Sequence, residues 1–420
     1  MSRVTWRIVV VLLCIPLIGA SWWLWQNLAT KGEPDDPVAA FLERHWKKPL
    51  ASQGTPPPGY SPLEASLGPQ ACAECHAEQH RAWSSSLHSR TMGNGILWQA
   101  RALSPAEVVR CLDCHAPLAE QKTLLGQALN WPDAPTEKAP AHVPPDLHQQ
   151  GLVCAACHVR AHVRYGPPPT SGKLPGDTPE LPHGGYQASI AFADSRFCAT
   201  CHQFPEDGPA LNGKLLENTL NEWRASRHAE EGRTCQSCHM PDRQHLWRGI
   251  HVPDMVRQAL TTRFSITPMA DGRLQVHAEI RNSGAGHYFP TYLVSKVWLR
   301  LMALDTTGAE RIQLAEAIVS RETDVWLTKE HSDTRLAPDA VRILTAEFSM
   351  PPEPGWQIAL RIDVAPREHY ERMFDSVLRD TSVQLDALTR DMLKAALAEA
   401  RASRYTVWHS QYVLPVAIAN

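Results

Sequence analysis

Residues 8–25 carry no charge; Arg3 and Arg7 precede the run, and Trp22, Trp23 and Trp25 close it. An uncharged stretch with a basic flank on one side and an aromatic one on the other predicts an N-terminal transmembrane helix, basic end in the cytoplasm. A cleaved signal peptide is the rival reading. No clean small-x-small site follows the run, so an uncleaved anchor over residues 1–30 is expected. Residues 31–69 hold Pro34, Pro37, Pro49, Pro56, Pro57, Pro58, Pro62 and Pro69, a density that predicts an extended spacer.

Regular alternation begins only after Pro253. Leu274, Val276, Ala278 and Ile280 alternate with Gln275, His277 and Glu279; Val297, Leu299, Leu301 and Ala303 do likewise before a turn at residues 305–308. Ile358, Leu360, Ile362 and Val364 give a further strand. Half-buried strands of this kind predict a β-sandwich over roughly residues 256–365. The apolar positions Leu385, Leu388, Met392 and Ala396 then fall at helical spacing, with Ser382 as the expected cap. Between residues 70 and 255 there is no comparable periodicity. Proline-rich loops at 132–145 and 167–182 deny the backbone long ladders, so short helices and loops are expected.

That irregular region holds all but one of the 11 cysteines, the exception being Cys14 in the apolar run. They form Cys72-Ala-Glu-Cys75-His76, Cys111-Leu-Asp-Cys114-His115, Cys154-Ala-Ala-Cys157-His158, Cys198-Ala-Thr-Cys201-His202 and Cys235-Gln-Ser-Cys238-His239. A single Cys-x-x-Cys could be half a zinc site or a thiol-disulfide motif. Five copies, each with the trailing histidine, are attachment sites for haem c: each thiol forms a thioether to one vinyl group and the histidine ligates the iron. The expected cofactors are five covalent haems, with no cysteine left for a structural disulfide. First cysteines recur after 39, 43, 44 and 37 residues, one short helix-and-loop unit per haem. Such a stretch buries too little side chain to fold alone, so attachment and folding are expected to be one event.

A net charge of −3 gives no case for nucleic acid as a partner. The 20 histidines matter more, because five are used by the motifs and the remainder can supply second axial ligands. A second histidine keeps an iron potential low, whereas methionine raises it. His88 and His228 each end a Trp-x-x-Ser-x-His arrangement, starting at Trp83 and Trp223. His245 and His251 follow the fifth motif, and one of them is expected to ligate. His287 lies in Gly284-Ala-Gly-His-Tyr-Phe-Pro-Thr291, a glycine-rich loop between two strands that can thrust an imidazole out of the sandwich. His162 and His183 are weaker candidates, and His45, His277, His331, His369 and His409 are read as ordinary.

Taken together, residues 83–88, Cys154–Arg160 with Gly166-Pro167, Phe197–Phe204, Trp223–Pro241 and Gly286–Thr291 resemble the multihaem cytochrome c family that includes hydroxylamine oxidoreductase and the tetrahaem cytochrome of nitrifying bacteria. The resemblance spans about residues 70–295. It implies stacked haems and places distal ligands on His88 and His228. The chain departs from that family in having five motifs, and the oxidoreductase's crosslinking tyrosine has no counterpart that can be located.

The expected fold is mixed: an N-terminal transmembrane helix, a mostly α-helical, loop-rich multihaem domain at 70–255, and a β-sandwich with flanking helices at 256–420. The expected function is electron transfer between a membrane quinol-oxidising donor and a periplasmic acceptor, from a single span in the bacterial inner membrane. The alternative is an oxidoreductase acting on a small nitrogen or sulfur compound at a five-coordinate haem, for which Arg160, His162, Arg164 and Tyr165 are the candidate pocket.

Overall fold

The computed structural model describes residues 36–169, 181–349 and 355–414. The expected membrane span at residues 8–25 lies outside them. Among the described residues no helix is long and apolar enough to cross a membrane. The longest, Ala387–Ala402, has 16 residues and buries only one face, whereas a bilayer core of about 30 Å requires roughly 20 apolar residues at about 1.5 Å each. The described fold therefore corrects the expectation of an architecture opened by a transmembrane helix, and the inner-membrane address that rested on it.

The chain divides into two compact units, residues 1–47 and 48–420. In the first, the helix Pro37–His45 starts at Asp36, whose carboxylate accepts from the amides of Val38 and Ala39 at 3.0 and 3.1 Å. Pro37 at the first helical position loses no hydrogen bond there. In the second unit Leu50, Gln53, Ala65 and Leu67 are buried. From residue 36 onward the expected spacer is thus packed structure, because its prolines open helices and turns instead of extending the chain.

The loop-rich part is built from short helices, and four of the motifs end one: Pro105–His115, Cys154–His158, Ser195–His202 and Cys235–His239. The first motif straddles two helices, Pro69–Ala73 and Ala77–Ser85, with His76 at the start of the second. One helical turn explains the motif's spacing. Positions i, i+3 and i+4 share a face, so both sulfurs and the imidazole point the same way. Short hairpins fill the gaps. β1 (Val159–Arg160) and β2 (Val163–Gly166) turn through Ala161 and His162 in the left-handed region, and β3 (Gln187–Ala188) adds parallel to β2. β4 (Ala210–Leu211) and β5 (Lys214–Leu215) turn through Asn212-Gly213, the residue pair that tolerates two positive φ angles.

Eight antiparallel strands follow. β6 (Leu260–Pro268), β7 (Arg273–Asn282) and β11 (Val341–Ser349) form one sheet in the order β11-β7-β6. β8 (Lys296–Leu304), β9 (Glu310–Thr323), β10 (Glu330–Asp333), β12 (Gln357–Ala365) and β13 (Tyr405–Val413) form the other, in the order β10-β9-β8-β12-β13. The apolar positions read from the sequence are its core: Val276, Ala278, Ile280, Val297, Leu299, Leu301, Ile358, Leu360 and Ile362 are fully buried together. β13 lies beyond the expected end of the sandwich, returning to pair with β12 after two helices. The second of these, Ala387–Ala402, is capped by Asp386, which accepts from the Thr389 amide at 2.8 Å. Ser382, the expected cap, is instead tied to Asp380 in the preceding turn. With Glu368–Arg379 this helix buries Phe374, Val377, Leu393, Ala396 and Leu397 around Trp98, so the C-terminal helices dock onto the loop-rich part.

Candidate functional site

The five motifs are drawn together inside the second unit. Cys72 lies against Cys154, Cys114 against Cys201, and Cys198 against Cys235. The first and third motifs are therefore neighbours, and the second, fourth and fifth follow one another. Among the described residues none of these cysteines is in a disulfide.

Three motif histidines face a second imidazole. His158 and His245 lie 6.0 Å apart between ring centres, His202 and His88 6.2 Å, and His239 and His287 6.3 Å. Two imidazole nitrogens bound to opposite faces of one metal, each at about 2.0–2.1 Å and with ring centres about 1.1 Å further out, give a separation of about 6.2 Å. The pairs thus stand at the spacing that a bis-histidine haem iron requires.

The other nitrogen of most of these rings is occupied. The Nδ1–H groups of His158, His239, His245 and His287 donate to the carbonyls of Tyr165, Arg248, Arg243 and Tyr288 at 2.8, 2.6, 3.0 and 2.8 Å. His202 Nδ1 meets the Tyr292 hydroxyl. Such bonds fix the tautomer and leave Nε2 as the ligating atom. Burial pushes His158 and His202 down to about 4 and His88 to about 3, so the rings are neutral, as a metal ligand must be. Paired sulfurs and paired neutral imidazoles at this spacing fit a covalently attached haem.

His287 reaches its position by a loop between β7 and β8, as expected. Asn282 holds that loop, donating to the His287 carbonyl at 2.9 Å and accepting from the Ala285 amide at 3.1 Å. Gly284 passes so close to the end of the helix Pro253–Ala259, just before β6, that a Cβ would sit 2.0 Å from the Gln258 carbonyl oxygen, so no larger residue fits. From below, Glu222 accepts from the Tyr288 amide at 3.0 Å and from the Thr291 hydroxyl at 2.8 Å.

The two Trp-x-x-Ser-x-His segments share one local structure. Trp83 and Trp223 each donate an indole N–H to a distant carbonyl, and Ser86 and Ser226 each bond back to the tryptophan carbonyl at 2.7 Å. Their histidines nonetheless diverge. His88 pairs with His202, whereas His228 lies beneath Gly286 with Arg233 Nη1 3.3 Å from its Nδ1, and it faces no motif histidine at ring-pair distance among the described residues. Of the two histidines after the fifth motif, His245 is the paired one; His251 is buried beside Arg367 and Arg90. His115 donates Nδ1–H to the Thr91 carbonyl at 3.0 Å. His183 lies near His76 and donates Nδ1–H to the Gly185 carbonyl at 2.9 Å. His162 is fully buried with Nε2 3.1 Å from the Gly54 carbonyl. Arg160 and Arg164, the expected pocket cations, bind backbone carbonyls of Ala156, Val159, His162 and Glu64.

Sequence reasoning passed over Trp247, Tyr292 and Phe192, aromatic side chains that lie against the paired histidines. Trp247 contacts both His88 and His245, and its signal was its place between His245 and His251.

No protein-family model matches the chain, and no curated protein matches it. Among solved structures it is similar to a penta-heme cytochrome c552 from Thermochromatium tepidum, with 19% sequence identity and a TM-score of 0.57, over 84% of this chain and 100% of that one. At this identity the likeness is one of fold, and it does not extend to the nitrifiers' tetrahaem cytochrome or to hydroxylamine oxidoreductase in particular. The chain has the fold of a multihaem cytochrome c.

Proposed function

We propose that this chain is a pentahaem c-type cytochrome that carries electrons between a donor and an acceptor protein. The observation that carries the reading is the set of three imidazole pairs at 6.0–6.3 Å, each joining a motif histidine to a histidine from elsewhere in the chain. Haem c, when bound, supplies a one-electron ferric/ferrous couple whose potential follows its axial ligands and surroundings. The ten motif cysteines would hold the haems, with His76, His115, His158, His202 and His239 as proximal ligands. His88, His245 and His287 would be the distal ligands of the fourth, third and fifth.

The protein's own part is to fix the order and the spacing. Contact between cysteines of different motifs would bring the haems they hold close to one another, and the backbone carbonyls behind His158, His239, His245 and His287 keep those imidazoles in one tautomer and one orientation. Burial keeps these rings neutral and dry. An arrangement with its imidazoles paired serves relay of electrons better than binding of a substrate, since each pair would take both axial positions of the iron it held and leave none open.

The test is the holoprotein matured in a host competent for haem attachment. Mass spectrometry is expected to give the polypeptide plus five haems, and electron paramagnetic resonance of the oxidised form to give at least three low-spin bis-histidine centres. A smaller mass increment, or a spectrum dominated by high-spin iron, would overturn the reading.

A further inference from the structure

His202 differs from the other motif histidines that have a described Nδ1 partner. His115, His158 and His239 donate to peptide carbonyls, whereas His202 Nδ1 meets the phenol oxygen of Tyr292. Tyr292 comes from the β7–β8 loop, five residues after His287, and it is half-buried. Against the same hydroxyl lie the carboxyl of Glu217 and the side chain of Thr219, with Glu222 beyond. Glu217 Oε2 is buried and has no hydrogen-bond partner.

The difference has chemical content. A peptide carbonyl is an acceptor of fixed strength. A phenol oxygen that accepts from Nδ1–H must send its own single proton elsewhere, and its strength as an acceptor grows when that proton is given to a further acceptor such as a Glu217 carboxyl oxygen. A stronger acceptor at Nδ1 makes the imidazole a better donor to its metal, which favours the ferric state.

We propose that Tyr292, backed by Glu217, is a positioning residue that sets the donor strength of His202 and thereby holds the fourth-motif iron at a potential of its own, below the value that His202 would give without this partner. The inference rests on the pentahaem reading above. It concerns only the groups behind the histidine: no group is oxidised but the iron, and the proton stays within the imidazole, phenol and carboxyl set.

The experiment is a spectropotentiometric titration of the holoprotein, its Tyr292→Phe variant and its Glu217→Gln variant, with haem content measured by mass. Phenylalanine keeps the ring and its packing, so a merely structural role for Tyr292 leaves every midpoint where it was. The expected result for Tyr292→Phe is that one midpoint rises by about 59 mV or more, a tenfold change in the reduced-to-oxidised ratio of one centre, while the rest stay in place. Glu217→Gln is expected to move the same centre in the same direction by less. Unshifted midpoints in a Tyr292→Phe protein carrying five haems would overturn the proposal, and if that variant is not recovered, unshifted midpoints in Glu217→Gln would do so. A wild-type protein with fewer than five haems would count against the pentahaem reading instead.

Discussion

The indole of Trp247 meets the imidazole of His88 edge-on at 4.6 Å between ring centres, and its other side meets His245 at 5.1 Å. One side chain thus braces the partner of His202 and the partner of His158. Trp247→Ala is expected to lower stability by less than the roughly 3–5 kcal/mol of a fully buried tryptophan, because Trp247 keeps some exposure. It should also perturb two low-spin signals of the oxidised protein together. Denaturant unfolding and electron paramagnetic resonance measure the two effects, and a change in only one centre would show that the brace is not shared.

His287 is the histidine facing His239, and in this structure its ring planes lie 16° from parallel with that partner. His287→Ala should open one face of the fifth-motif iron. The expected outcome is one new high-spin centre that binds cyanide or carbon monoxide, with the haem count unchanged since the thioethers remain. An unaltered spectrum would remove His287 from the ligand set.

Arg321 on β9 is 2% exposed, bonded to Glu330 Oε2 at 2.8 Å and to the carbonyls of Leu211, Lys214 and Leu215. It therefore clamps the β4–β5 hairpin of the loop-rich part onto the sandwich. Truncating it strips three carbonyls of their donor but leaves Glu330 paired with Lys214 at 2.7 Å, so the cost falls below the about 3–5 kcal/mol of a buried charge left without any partner. Arg321→Ala should lose about 1–3 kcal/mol in denaturant unfolding. A loss under about 1 kcal/mol, the range of surface ion pairs, would show that the clamp bears little weight.

Glu64 joins the short helix Pro62–Ala65 to the His183 turn: the His183 amide donates to it at 2.7 Å, and Ser61 bonds it through hydroxyl and amide. The His183 amide, then the Ser61 hydroxyl, hold its carboxyl at about 2, below the ordinary 4.5. A group depressed on folding stabilises the fold above its unfolded value and loses that contribution as the pH falls through the folded one. The stability gap between wild type and Glu64→Gln should thus be constant above pH 4.5 and close as the pH drops toward 2. Acid titration of both proteins by circular dichroism checks this; a gap unchanged at pH 2 would remove Glu64 from the linkage.

The motifs and the sandwich strands were legible because each is a local pattern: Cys-x-x-Cys-His within one helical turn, and Leu274 to Ile280 at period two. His287 was legible for a related reason, since glycines at 284 and 286 mark a loop under close contact. The partners of the motif histidines were not, because pairing joins residues as far apart as His88 and His202, and the repeated Trp-x-x-Ser-x-His segment puts its histidine in two different surroundings. β13 was missed since its ladder with β12 forms only after Glu368–Arg379 and Ala387–Ala402 have brought the chain back. Asp386 outcompeted Ser382 as the cap because Ser382 is already engaged by Asp380.

The β7–β8 loop delivers both His287 to the fifth motif and Tyr292 to the fourth. The boundary near residue 256 is therefore a seam in the polypeptide and not in the molecule. A chain without the sandwich would lose, in one step, the imidazole opposite His239 and the phenol behind His202.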